Sequence, residues 1–135
     1  MFEKDYLMRL IQTLIDAINK ITNSIDKEDI EGAKIQLSDS YKLLGNEQEY
    51  FSKIDYIELI ELFKLKDGNY LKRVEFLAEI IYLDATIENN KILKFKKFKK
   101  SKNLFQYYIE FSKEYSIGIN NKLIFIKKEL EKLKQ

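Results

Sequence analysis

The chain has 135 residues, of which 45% are hydrophobic and 34% charged, a balance typical of one globular domain rather than a disordered segment. Cysteine and histidine are both absent, which excludes disulfides, thiolate chemistry, histidine general bases and the usual zinc sites. The net charge is +2, but residues 1–90 carry −7 and residues 91–135 carry +9, so charge is divided along the chain.

The first predicted helix begins at Phe2 and carries apolar residues at three- and four-residue steps as far as Ile21. Polar residues interrupt this stripe, so it lacks the continuous apolar region of a secretory signal; they are Arg9, Gln12 and Asp16. No run in the chain approaches the roughly 20 apolar residues of a membrane span. We therefore expect a cytoplasmic protein without membrane insertion.

The helical pattern breaks around residues 23–26, where Ser24 and Asp26 are both candidate N-caps for the next helix. The second helix then runs from Ile30 to Leu44. Gly45 follows immediately, as expected for a C-terminal cap in the left-handed conformation.

Residues 46–54 are ambiguous and form either an irregular or a helical lead-in to the third helix, which we predict at residues 55–65. Asp67 and Gly68 mark a turn. The fourth helix covers residues 69–88. Its apolar stripe is unusually wide, so we expect this helix to be central.

The fifth helix is clearest from Leu104 to Tyr115, and apolar residues as far back as Ile92 allow it to begin earlier. Whether residues 91–102 are helix or loop is left open by the pattern. Residues 116–121 include a glycine and are predicted as a loop. The sixth helix then covers residues 121–134, with an apolar seam spaced as in a coiled coil.

These elements predict an all-α fold of about six antiparallel helices in a single domain, residues 1–135. Strand patterns are not found, and the connections are short enough to join neighbouring helices. Two architectures remain open, a closed bundle or a stack of helical hairpins.

Two resemblances bear on this choice. The segments 33–45 and 76–85 each resemble part of a tetratricopeptide-type helical hairpin, although the full 34-residue pattern is absent. The N-terminal motif Asp5-Tyr6-Leu7-Met8-Arg9 resembles the start of an uncharacterised family of small bacterial helical proteins with tetratricopeptide-like helices. That resemblance implies a fold but no reaction.

The Lys-rich segment, residues 91–102, holds seven lysines, two interleaved phenylalanines and no acid. Such a segment could bind RNA or another polyanion, with six candidate residues: Lys94, Lys96, Lys97, Lys99, Lys100 and Lys102. Two other interpretations are a solvated helix end anchored by Phe95 and Phe98, or a segment that faces the acidic part of this chain or of a second copy. The lysines lie nearly all round a helical wheel, so no clean basic face is predicted.

Side chains for a protein contact are predicted at Asp5, Tyr6, Arg9 and Tyr108, since exposed tyrosines are common interface anchors. Asp5 and Arg9 stand at i, i+4, so the alternative for these two is a surface ion pair within the first helix. Paired glutamates are interpreted as solvated faces, so we expect neither metal nor cofactor. With no nucleophile, base and orienting group in any pattern, the sequence predicts a non-enzymatic helical-hairpin module that binds another protein, or itself as a homodimer. Binding of nucleic acid through the Lys-rich segment is the alternative.

Overall fold

The computed structural model describes the backbone of residues 2–66 and 68–134 and the side chains from Asp5 onward in these ranges. It contains seven helices and no strand in these residues: α1 (Phe2–Asp26), α2 (Ile30–Leu43), α3 (Gln48–Lys53), α4 (Tyr56–Lys66), α5 (Tyr70–Ile87), α6 (Lys91–Ser112) and α7 (Ile117–Lys134). The all-α prediction is confirmed. The side chain of Phe2 and the predicted turn residue Asp67 lie outside the described part.

Helix α5 is the centre of the molecule and packs against α1, α2, α4 and α6. Its apolar residues occupy more than one face, as the wide stripe predicts, so it can be buried on several sides. The core is one cluster of buried side chains to which all seven helices contribute. Among the side chains fully enclosed are Leu77 and Ile80 of α5 and Phe98 and Phe105 of α6.

Helices α1 and α2 form an antiparallel hairpin, and the predicted break at residues 23–26 is wrong because α1 continues to Asp26. The Ser24 hydroxyl does not cap a helix; it donates to the Gln36 side chain of α2 at 2.9 Å. The cap of α2 is Asp29, whose carboxylate accepts from the Gly32 amide at 3.0 Å. Ser24 is a good N-cap residue in isolation, but its hydroxyl is taken up by a side chain of α2 and therefore does not start a helix.

The connection from α2 to α4 contains one extra short helix. Gly45 has φ +109°, which confirms the predicted left-handed cap. The ambiguous segment 46–54 is largely helical, as α3, and α4 begins one residue later than predicted.

Helix α6 includes the whole Lys-rich segment, so residues 91–102 are helix rather than loop. Asn90 caps it by accepting from the Leu93 amide at 3.0 Å, and Lys113 ends it with φ 57°. The predicted loop over residues 116–121 is wrong, because α7 begins at Ile117. Ser116 accepts from the Ile119 amide at 3.2 Å and so supplies a cap that tolerates a glycine in the first turn.

Candidate functional site

The lysines of the Lys-rich segment point in different directions around α6, so they do not form one basic face. Lys94, Lys97 and Lys100 recur at three-residue steps and direct their ammonium groups at acceptors within the chain. The other four divide between exposed and half-buried positions: Lys91, Lys96 and Lys99 are exposed, and Lys102 is half-buried. The interpretation in which the segment faces the acidic part of its own chain therefore holds for Lys97, which meets two carboxylates, while Lys94 and Lys100 meet backbone carbonyls instead.

Asp84 of α5 is the centre of a buried polar cluster and is only 5% exposed. Its carboxylate accepts hydrogen bonds from the Tyr41 hydroxyl at 2.7 Å, the Gln48 side chain at 2.6 Å and the Lys97 ammonium at 2.9 Å. These donors come from α2, α3 and α6. The cluster therefore ties three helices to the central one through a single carboxylate.

The Lys97 ammonium also contacts Glu88 at 2.7 Å, so it lies between two carboxylates. Burial alone lowers the pKa of Lys97, but hydrogen bonds to Glu88 and Asp84 outweigh it and the pKa is raised overall. In return, the hydrogen bond from Lys97 lowers the pKa of Glu88. Burial and the Asp84 charge together raise the pKa of Tyr41 well above its ordinary value. At neutral pH the cluster therefore holds a charged lysine and a neutral tyrosine.

Lys100 lies one turn further along α6 and is bonded to backbone only. Its ammonium donates to the carbonyls of Phe51 at 2.6 Å, Ser52 at 3.2 Å and Ile54 at 2.7 Å. These carbonyls end α3, where helical backbone lacks intrahelical donors. Lys100 is a C-terminal cap supplied by another helix, and burial lowers the pKa of its ammonium while Asp55 opposes this at longer range.

Lys94 performs a similar task at the end of α5. Its ammonium donates to the carbonyls of Thr86 at 3.2 Å and Glu88 at 3.4 Å. A cation at this helix end also interacts favourably with the helix dipole. Lys94 is therefore committed to the fold and offers little charge to a ligand.

A cavity of about 180 Å³ opens beside the Asp84 cluster, between α2, α3, α5 and α6. Its apolar wall consists of Phe51, Ile81 and Leu93. The Phe51 ring stacks on the Tyr41 ring with centroids 5.6 Å apart, so two aromatic side chains support one side. The remaining lining is polar: Tyr41, Gln48, Ser52, Asp84, Lys96, Lys97 and Lys100.

The predicted protein-contact residues separate into two groups. Tyr6 is 63% exposed, and Asp5 and Arg9 are exposed as well, with no ion pair between these two in the described chain. Tyr108 is 3% exposed, so its prediction as a surface contact is wrong. Its hydroxyl donates to Glu114 at 3.2 Å, while its ring packs in the core.

The residue that sequence analysis missed is Asp84. It is a single acid inside the apolar run of α5, between Leu83 and Ala85, both of which are buried. An acidic residue within a buried apolar stripe requires a cationic or hydrogen-bonding partner. The position of Asp84 in the apolar run of α5 is therefore a signal that the sequence itself contains.

The described residues contain neither a cluster of metal-binding side chains nor a membrane-spanning helix. Within residues 5–66 and 68–134, acidic side chains nowhere gather in a group of three that could hold a metal ion. No helix in the same part of the chain is long and apolar enough to cross a bilayer.

The fold and these contacts define an all-α protein whose helices are joined by the Asp84 cluster and by two separate lysine caps, Lys94 and Lys100. Comparison with protein families, curated proteins and solved structures finds no match in any of the three.

Proposed function

We propose that this protein is a non-enzymatic module that binds another protein through the N-terminal half of α1. The observation that carries the proposal is that no side chain of residues 5–13 is fully buried, although five of them are apolar or aromatic. Tyr6 and Met8 are exposed, while Leu7, Leu10 and Ile11 are half-buried and the last two pack against the core. Among the side chains of α1 that the structure describes, from Asp5 onward, the first buried one is Leu14.

The two helices of the first hairpin differ in length, so α2 covers only the C-terminal part of α1 on the side that faces it. Helix α1 has 25 residues and α2 has 14. Ser24 contacts Gln36 across the antiparallel pair, and counting from this contact places the end of α2 level with about Ala17. The N-terminal part of α1 therefore extends beyond the helix that covers its C-terminal part.

The expected partner is an amphipathic helix that packs lengthwise on the exposed side of α1, away from α2. Met8 is 61% exposed and Ile15 is 39% exposed, and these two residues lie two turns apart on one side of α1. They supply the row of apolar contacts that a helix packed in this position would bury. Asp5 and Arg9 beside them offer one charge of each sign to orient it.

The test is quantitative copurification from the native cell with three baits: the natural chain, a Met8→Glu variant and an Ile35→Glu control. Ile35 lies on α2, is 64% exposed and makes the control comparable in chemistry. We expect a partner that the natural chain and the control enrich equally and that Met8→Glu loses by tenfold or more, roughly the effect of 1.4 kcal/mol.

Two outcomes contradict the proposal. One is an identical set of captured proteins for all three baits. The other is a dimer in light scattering that Met8→Glu dissociates, because this would assign the surface to a second copy of the chain.

Binding of RNA or another polyanion is the second candidate function. It is supported by the exposed lysines alone, because three other lysines of the segment are bonded within the chain. A groove between α6 and α7 is lined by Lys91, Lys96 and Lys134 around Ile92 and Phe95. Poly-uridylate binding that weakens steeply with salt and is lost in Lys91→Glu/Lys96→Glu would support it. Affinity unchanged by that substitution would reject it.

A cytoplasmic location and tetratricopeptide-like stacking stay predictions of the sequence. Light microscopy of a fluorescent fusion in the native cell tests the first, and an experimental structure compared with known repeats tests the second.

A further inference from the structure

The cavity beside Asp84 combines an aromatic wall with two lysines, Lys96 and Lys100, that form no ion pair in the described residues. Lys97 is paired with Asp84 and Glu88, and Asp84 is saturated by three donors. Lys100 is different, because its ammonium donates to three backbone carbonyls, and in the described chain the Asp55 carboxylate acts on it only from beyond salt-bridge distance. Lys96 lines the same cavity, is exposed, and has no partner in these residues either.

Size and shape restrict what the cavity can hold. An apolar cavity of about 150 Å³ accommodates a benzene molecule. The volume here is about 180 Å³, enough for one ring with a small polar substituent. The Phe51 ring and the aliphatic side chain of Ile81 provide apolar contacts for a bound ring. Leu93 is 45% exposed and lies at the solvent side of the cavity.

We propose that this cavity binds a small monocyclic aromatic carboxylate, with its ring against Phe51 and Ile81 and its carboxylate paired with the exposed Lys96 ammonium, on the side of the cavity that Lys100 also lines. An anion in this place pairs with the Lys96 ammonium, which has no partner in the described residues, and is attracted at longer range by the charge of Lys100, whose three donors are held by carbonyls. The lowered pKa of Lys100 agrees with a cation that lacks such a counter-ion. This site is separate from the α1 surface, and either proposal can fail without the other.

The experiment titrates benzoate and benzamide into the full-length ¹⁵N-labelled chain at constant ionic strength and follows amide chemical shifts. The two probes have nearly the same shape, but only benzoate is charged. We expect saturable shifts around the cavity with a Kd on the order of 1 mM for benzoate, as suits a ligand of this size. Benzamide is expected to bind at least about tenfold more weakly.

Three variants locate the site. Leu93→Trp fills the cavity from its outer side and is expected to abolish the saturable shifts, while Lys96→Gln weakens benzoate binding about fivefold to tenfold. Lys99→Gln is the matched control, since Lys99 is exposed on the same helix, lines neither cavity nor groove, and its loss changes the net charge equally.

Three results overturn the proposal. The first is the absence of saturable shifts up to about 20 mM benzoate in the natural chain. The second is equal affinity for benzamide, which would show that charge is not recognised. The third is undiminished benzoate binding by Leu93→Trp, checked for native fold by its amide spectrum, which would place the ligand elsewhere.

Discussion

Replacement of Asp84 by alanine removes the one acceptor shared by Tyr41, Gln48 and Lys97. Breaking a buried ion pair by deleting one partner costs about 3–5 kcal/mol. Glu88 remains as a partner of Lys97, which favours the lower end, but two neutral donors also lose their acceptor. We therefore expect a loss of about 3 kcal/mol, against a total free energy of unfolding of roughly 10 kcal/mol for a domain of this size.

Urea unfolding followed by far-ultraviolet circular dichroism measures this loss directly. With a slope of about 2 kcal/mol per molar urea, the midpoint should fall by about 1.5 M while the slope stays constant. Asp39→Ala is the control, because Asp39 is exposed on α2 and its loss should change stability by less than about 0.5 kcal/mol. A midpoint for Asp84→Ala equal to that of the control would refute the view that this carboxylate joins the helices.

Three further changes test local features. Burial raises the pKa of Glu79 despite its ion pair with Lys122, so the contribution of Glu79 to stability is present below its unfolded pKa and declines as pH rises through the folded pKa. The Glu79→Gln variant should therefore gain stability relative to the natural chain between about pH 4 and pH 7. A constant stability difference in urea titrations at the two pH values would contradict this. Asn90→Ala removes the cap of α6 and should cost about 1 kcal/mol in thermal unfolding, whereas Asn90→Asp should cost much less. Gly45→Ala forces a side chain onto φ +109° and should cost about 1–2 kcal/mol in urea unfolding; no loss would show that the backbone there relaxes freely.

The helices with a regular apolar period could be predicted from the sequence because their burial depends on spacing alone. Both α5 and the first part of α1 follow this rule. The end of α1 could not be predicted, since Ser24 caps helices in isolation but finds Gln36 in the folded chain. The start of α7 was missed for a related reason: Ser116 and the following glycine favour a loop until the hydroxyl accepts an amide.

In the candidate site, too, the sequence predicts what depends on neighbouring residues but not what depends on residues far along the chain. The Lys-rich segment is visible in the sequence, but the direction of each lysine depends on partners far along the chain. Lys97 meets Asp84 of the preceding helix, and Lys100 meets carbonyls near residue 51. No local pattern separates these two lysines from Lys96 or Lys99, because a helix places all four within two turns.

The cap that Lys100 provides has a consequence for the order in which the chain folds. Helix α3 has six residues, and a helix so short does not persist alone in water. Its last carbonyls are held by an amine that follows almost fifty residues later. We therefore expect α3 to form late, only when α6 has docked, and to open first when the molecule fluctuates. The wall of the cavity that α3 provides would then form and open together with this short helix. A molecule bound in the cavity would stabilise α3 in its folded position.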